Sequence, residues 1–87
     1  MNVRELIEHL SKFDPQAKVV VEYDSHFMDI RAVQPEVILT EGASWADYPS
    51  AKVLDDANPR YSATEAERAS YRDSSQQEAI AIWGTSP

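Results

Sequence analysis

The chain contains no cysteine. Disulfides, thiolate nucleophiles and thiolate metal sites are excluded at once. A small secreted domain usually needs such staples, so their absence fits a reducing compartment. Glycine is nearly missing too: Gly42 and Gly84 are the only two, and a Gly-rich phosphate loop cannot be built from them. Basic residues are few. Eight Lys and Arg stand against fifteen Asp and Glu, for a net charge of −7 and a pI near 4.6. A phosphate backbone must be neutralised by Lys and Arg, so direct nucleic-acid binding is not expected. Docking on an anionic membrane is disfavoured for the same reason. No apolar run approaches the ~20 residues of a membrane span. The opening Met1-Asn2-Val3-Arg4-Glu5 places an acid where a secretion signal would be basic and then apolar. The expectation is a cytosolic protein.

What is present suits one small folded domain. The chain has 87 residues, 43% of them hydrophobic and 26% charged, which is ordinary for a globular protein. Val3, Leu6, Ile7 and Leu10 recur at i, i+3, i+4 and i+7, one face of a helix. Asn2 can cap that helix, with Glu5 at the capping-box position. Arg4, Glu5, Glu8 and Lys12 occupy its wet side, and Asp14-Pro15 stops it. Lys18 to Tyr23, with three consecutive valines, reads as a strand, followed by turn chemistry at Asp24-Ser25. Met28 to Val33 and Glu36 to Thr40 are extended stretches on either side of Gln34-Pro35. The residues leave open whether they are two strands or one bent strand, with Pro35 marking a bulge, turn or edge.

From Glu41 the texture changes. Residues 41–60 show neither period and carry Gly42, Pro49, Asn58 and Pro59, so they read as a long irregular connection, expected to be the most mobile part of the chain. Ser62 and Glu65 predict a short capped helix. Glu78 to Trp83 predicts a closing strand. The fold class is therefore α+β: an N-terminal helix packed on a small, mainly antiparallel sheet of three or four strands, a long insertion over 41–77 with a short second helix, and a closing strand. The expected core is Val3, Leu6, Ile7, Leu10 and Phe13 from the helix. Facing it would be Val19, Val21, Ile30, Ile38, Ile80 and Ile82.

The opening resembles a loose group of small, mostly uncharacterised bacteriophage and bacterial proteins. They begin with a helix of the form V-x-E-L-I-x-x-L, then a D-P-x-A turn and a Val-rich strand ending in Asp. The matching residues are Val3, Glu5, Leu6, Ile7 and Leu10; Asp14, Pro15 and Ala17; and Val19, Val20, Val21 and Asp24. Ala79 to Trp83 resembles the closing strand of the group. The likeness implies a helix on a small antiparallel sheet and a phage or bacterial origin. It implies no activity, and it does not extend to residues 41–77.

No set of residues meets the requirements of a catalytic or cofactor site. Asp24, Ser25 and His26 are the residue types of a hydrolase triad, but they are consecutive, and a triad needs side chains that converge in space. Glu22, Asp24, His26 and Asp29 could supply oxygen and nitrogen donors to a metal, in a chain with two histidines, His9 and His26. Asp55-Asp56 with Asn58 lacks the spacing and central glycine of a calcium loop. Glu5 and Glu8 read as the wet face of the first helix. The aromatics of the insertion remain. Trp and Tyr dominate interface hot spots, and they point to a partner-binding set of Trp45, Tyr48, Asp55, Asp56, Tyr61 and Tyr71. The expected function is a non-catalytic binding module, without cofactor or metal, that contacts a protein partner through the insertion, as a phage accessory protein that binds or inhibits a host complex. Its alternatives are an acidic nucleic-acid mimic and a small hydrolase or metal enzyme around His26. The apolar closing strand either pairs centrally or sits at an open edge that recruits a partner, and a homodimer that buries Trp83 or Trp45 is expected on the second arrangement.

Overall fold

A computed structural model describes residues 1–41, 47–55, 61 and 63–87. The elements run α1 (Val3–Leu10), β1 (Val20–Tyr23), β2 (His26–Asp29), β3 (Ala32–Leu39), a 3-10 turn (Ala51–Leu54), α2 (Glu65–Tyr71) and β4 (Gln76–Trp83). The fold is α+β, with two antiparallel two-stranded sheets, β1-β2 and β3-β4. Backbone contacts group into two units, Met1–Gln34 with Ile80–Pro87, and Pro35–Ala79. The boundary falls within β3 and β4.

In the first unit, α1 begins as the sequence predicts. The Asn2 side chain accepts the Glu5 backbone N–H at 2.8 Å, and Glu5 Oε1 accepts the Asn2 N–H at 3.3 Å, satisfying two donors that a helix start leaves open. β1 and β2 form a tight hairpin in which Val21 faces Met28 and Tyr23 faces His26. The loop is Asp24-Ser25, and both residues have positive φ, 49° and 66°. This matches a type I′ turn, whose twist suits a hairpin. Glu22 Oε1 steadies it by accepting the Ser25 N–H at 2.9 Å. After β4, Gly84 passes so close to Met28 that a Cβ there would lie 2.7 Å from its terminal methyl, so a larger residue would require the Met28 side chain to shift.

In the second unit the insertion is stitched at its base. Thr40 N–H donates to the Ser75 carbonyl at 2.9 Å, and Ser74 Oγ accepts the Glu41 N–H at 3.0 Å. The segment after residue 46 returns alongside β3. Leu39 N–H donates to the Pro49 carbonyl at 2.9 Å, and Ser50 bridges Ile38 in antiparallel fashion. The 3-10 turn follows, capped by Ser50. The described part of this connection is thus hydrogen-bonded to a strand, where the sequence suggested mobility. Its irregular composition hid a bridge that needs only two residues. α2 is capped by Thr64, which accepts the Glu67 N–H at 3.1 Å. The capping-box spacing fits this pair better than Ser62 and Glu65, and Ser62 lies outside the described residues.

The core differs most from expectation. Among the described residues only Leu39 is fully buried, at 0% exposure. Leu6, Val21, Ile30 and Ile38 are half-buried. Val3, Ile7, Leu10, Phe13, Val19, Ile80 and Ile82 are exposed. The cause is the size of the first sheet. Two strands of four residues offer only Val21 and Met28 as half-buried partners on one face, too little to cover an apolar helix stripe. The stretch Met28–Val33 is divided, with Met28 and Asp29 ending β2 and Ala32 and Val33 beginning β3, which runs unbroken through Pro35 to Leu39. A ribbon strand has one side without a ladder partner, where a residue lacking an N–H is tolerated.

Two stability changes follow. Leu39→Ala should lower unfolding free energy by roughly 3 kcal/mol, the ordinary loss for a fully buried leucine, read by urea denaturation. A loss below about 1 kcal/mol would show that the site collapses around the gap. Ser25→Gly should raise stability by about 0.5–1 kcal/mol, because glycine accepts a positive φ without steric strain. No gain, with the hairpin intact by amide exchange, would show that the turn holds no strain.

Candidate functional site

Six insertion residues were singled out from sequence. Trp45 and Asp56 lie outside the described residues. Tyr48 is exposed, while Tyr61 and Tyr71 are half-buried. Asp55 is exposed and closes the 3-10 turn, its N–H donating to the Lys52 carbonyl at 3.1 Å. Tyr61 lies beneath a cation, with Lys52 Nζ 5.5 Å from its ring centroid, a distance at which the ring face attracts the ammonium. Tyr71 ends α2. Tyr48 is therefore the aromatic of this set that stands open to solvent among the described residues.

The node that holds Ser50 and Lys52 is a residue that sequence reasoning passed over. The Glu36 side chain is only 8% exposed. Its Oε1 accepts the Ser50 hydroxyl at 3.0 Å, and its Oε2 lies 3.5 Å from Lys52 Nζ. The second contact is an ion pair rather than a well-formed hydrogen bond, since Oε2 has no hydrogen-bond partner by geometry. Ser50 Oγ in turn accepts the Lys52 N–H at 3.2 Å. One carboxylate thus ties β3 to Ser50, which caps the 3-10 turn, and to Lys52 within it, and Lys52 continues the chain of contacts to Tyr61. The signal was in the alternation. Ala32, Gln34, Glu36 and Ile38 are the half-buried positions of β3, so Glu36 is an acid in phase with inward residues, and such an acid needs a partner.

α2 carries its own ion network. Glu65 pairs with Arg72, and with Arg68 at 3.4 Å. The hydrogen bond from Arg72 and its charge, then those of Arg68, hold the Glu65 carboxyl below the ordinary glutamate range. Arg68 also donates to the Ala63 carbonyl at 2.7 Å.

Among the described residues, the acids and the histidine around the hairpin serve local roles. Asp24 and Ser25 are the two turn residues of the hairpin, and His26 begins β2. Asp29 pairs instead with Lys18 at 2.8 Å. A hydrogen bond and then charge attraction lower the Asp29 pKa and raise that of Lys18. Both groups are open to solvent, so the pair adds little to stability. Among the described residues no group of three or more His, Asp or Glu side chains could hold a metal ion. Of the residues set aside as a calcium loop, Asp56 and Asn58 lie outside the described set. Glu5 is occupied with its capping box. No helix among the described residues is long and apolar enough to cross a membrane.

The fold and this site define a small α+β domain with an aromatic, acidic insertion. Comparison with protein-family models, with curated proteins and with solved structures returns no match.

Glu36→Ala should destabilise the protein by about 1–3 kcal/mol, since it removes a buried partner from Ser50 and Lys52. Glu36→Gln keeps an acceptor for Ser50 and should lose less. Denaturation of both variants checks this. Equal stability of Glu36→Ala and the parent chain would show that the node is dispensable.

Proposed function

We propose that this protein is a non-catalytic binding module that contacts a protein partner through its 41–77 insertion. The observation that carries this reading is Tyr48, 46% exposed on a backbone clamped to β3 at Pro49 and Ser50. An exposed tyrosine on a fixed backbone offers a large amphipathic contact at small entropic cost. Acids surround it in sequence. The unit Pro35–Ala79 holds nine Asp and Glu against four Lys and Arg, a charge of −5 of the chain's −7. The matching partner surface is an aromatic-accepting pocket with a basic rim. In keeping with the resemblance of the N-terminal segment, we read the protein as a phage accessory factor that works in the bacterial cytosol and occupies a host complex.

The same −5 supports a second reading, an acidic surface that fills a nucleic-acid-binding groove. Salt separates the two. A mimic that works by charge loses affinity steeply as salt rises, whereas a contact centred on Tyr48 does not.

The test is capture from host lysate followed by titration of the captured protein. Tyr48→Ala should weaken binding by about 10- to 100-fold, as for a hot-spot tyrosine. Steep salt dependence with no effect of Tyr48→Ala would favour the mimic. Binding insensitive to salt, to Tyr48→Ala and to Asp47→Lys would rule out the insertion as the contact surface.

A further inference from the structure

Tyr48 is joined to its anchor on β3 through stiff backbone. Pro49 fixes its own φ at about −65°, and a residue that precedes proline is held to extended conformations. Tyr48 therefore has little freedom relative to Ser50, and where Ser50 is anchored, Tyr48 is placed. The backbone part of that anchor is small. Ser50 makes an isolated bridge with Ile38, and the Leu39 N–H donates to the Pro49 carbonyl at 2.9 Å. A backbone hydrogen bond gains little net of its competition with water, and an isolated bridge has no adjoining ladder to reinforce it.

Glu36 supplies the rest. Its Oε1 accepts the Ser50 hydroxyl at 3.0 Å, and its Oε2 stands 3.5 Å from Lys52 Nζ. Lys52 is held as well by the Tyr61 ring, whose centroid lies 5.5 Å from its ammonium. If Ser50 and Lys52 moved away, the shielded Glu36 charge would stay behind without them, and a buried charge without partners is costly. Opening this clasp therefore costs more than the bonds it breaks, and the extra cost comes from Glu36. We propose that Glu36 is a positioning residue for recognition. Without touching the partner, its carboxylate sets where the Tyr48 side chain is presented. A contact ordered before binding avoids part of the entropy otherwise lost on association. This rests on the reading of Tyr48 as the contact, and it places control of that contact on β3.

The absence of cysteine makes a single spin label site-specific. A nitroxide attached through Tyr48→Cys reads fast local motion at that position, and one attached through Ser70→Cys on α2 is the control. In the parent background the label at position 48 should be restricted. Glu36→Ala should free it and leave the label at position 70 unchanged, with circular dichroism intact. Glu36→Gln keeps an acceptor for the Ser50 hydroxyl and should retain most of the restriction. A Glu36 that only adds stability would change neither line shape while the protein stays fully folded. If Glu36→Ala fails to fold, Ser50→Ala takes its place and should free the same label. A label at position 48 that stays as restricted in the folded variant as in the parent overturns the proposal. So does an equal gain in motion at both positions. A second arm uses the protein captured from host lysate. Ser50→Ala should weaken its binding about 3- to 10-fold, the ordering cost of one side chain, and should add nothing in a chain that already carries Tyr48→Ala. A full effect of Ser50→Ala in that background overturns positioning through Tyr48. Unchanged binding by Tyr48→Ala, with the label still freed by Glu36→Ala, overturns the contact reading and with it the recognition role, while the clasp itself stands.

Discussion

The second unit depends on one acid that the rest of the chain must accommodate. The Glu36 carboxylate is nearly shielded from water, and a charge so placed is costly unless paired and hydrogen-bonded. Its two oxygens meet that need differently, one through the Ser50 hydroxyl and one through the Lys52 ammonium. Both partners come from the insertion, so the burial of this charge and the return of the insertion to β3 are one event. Leu39, three residues along, is sealed from solvent and gives its N–H to Pro49. Apolar burial and polar satisfaction therefore meet on the same few residues, which gives the return path a single register.

Much of this was legible before the structure. The Asn2 cap, the Asp24-Ser25 turn, the closing strand and the α+β class follow from periodicity and local hydrogen-bonding chemistry, and these act over three or four residues. The sheet arrangement did not, because pairing between distant strands leaves no local mark. Pro35 concealed the continuity of β3, since proline reads as a break although a ribbon strand can hold it. The core list failed for a related reason. Periodicity shows that Val3, Ile7 and Leu10 share a face; it does not show that anything in the same chain covers that face. At the site, attention went to the aromatics and missed Glu36, because a charge in a strand looks solvated until its phase is compared with its neighbours. Of the aromatics, Tyr48 is exposed, while Tyr61 and Tyr71 are half-buried.

The chain separates two kinds of surface by sequence. Exposed apolar side chains cluster in the termini-bearing unit, and most of the net charge belongs to the insertion-bearing unit. A charge surplus opposes close approach of like surfaces, and an exposed apolar stripe invites unselective contact. A chain of this length has little surface to divide, and it keeps most of its exposed apolar side chains and most of its net charge on different residues.

The stitch at the base of the insertion bears on how such a protein can change over generations. Thr40 and Glu41 are fastened to Ser74 and Ser75 by backbone and hydroxyl hydrogen bonds, so the chain enters and leaves this lobe through one closed neck. The entropy of closing a loop grows only logarithmically, by about 0.6 kcal/mol for each doubling of its length. Beyond the clamp at Pro49 and Ser50, the enclosed chain can therefore lengthen, shorten or be exchanged while the ribbon that holds it stays closed. The neck is thus a mounting point at which new segments can be fitted to an unchanged frame.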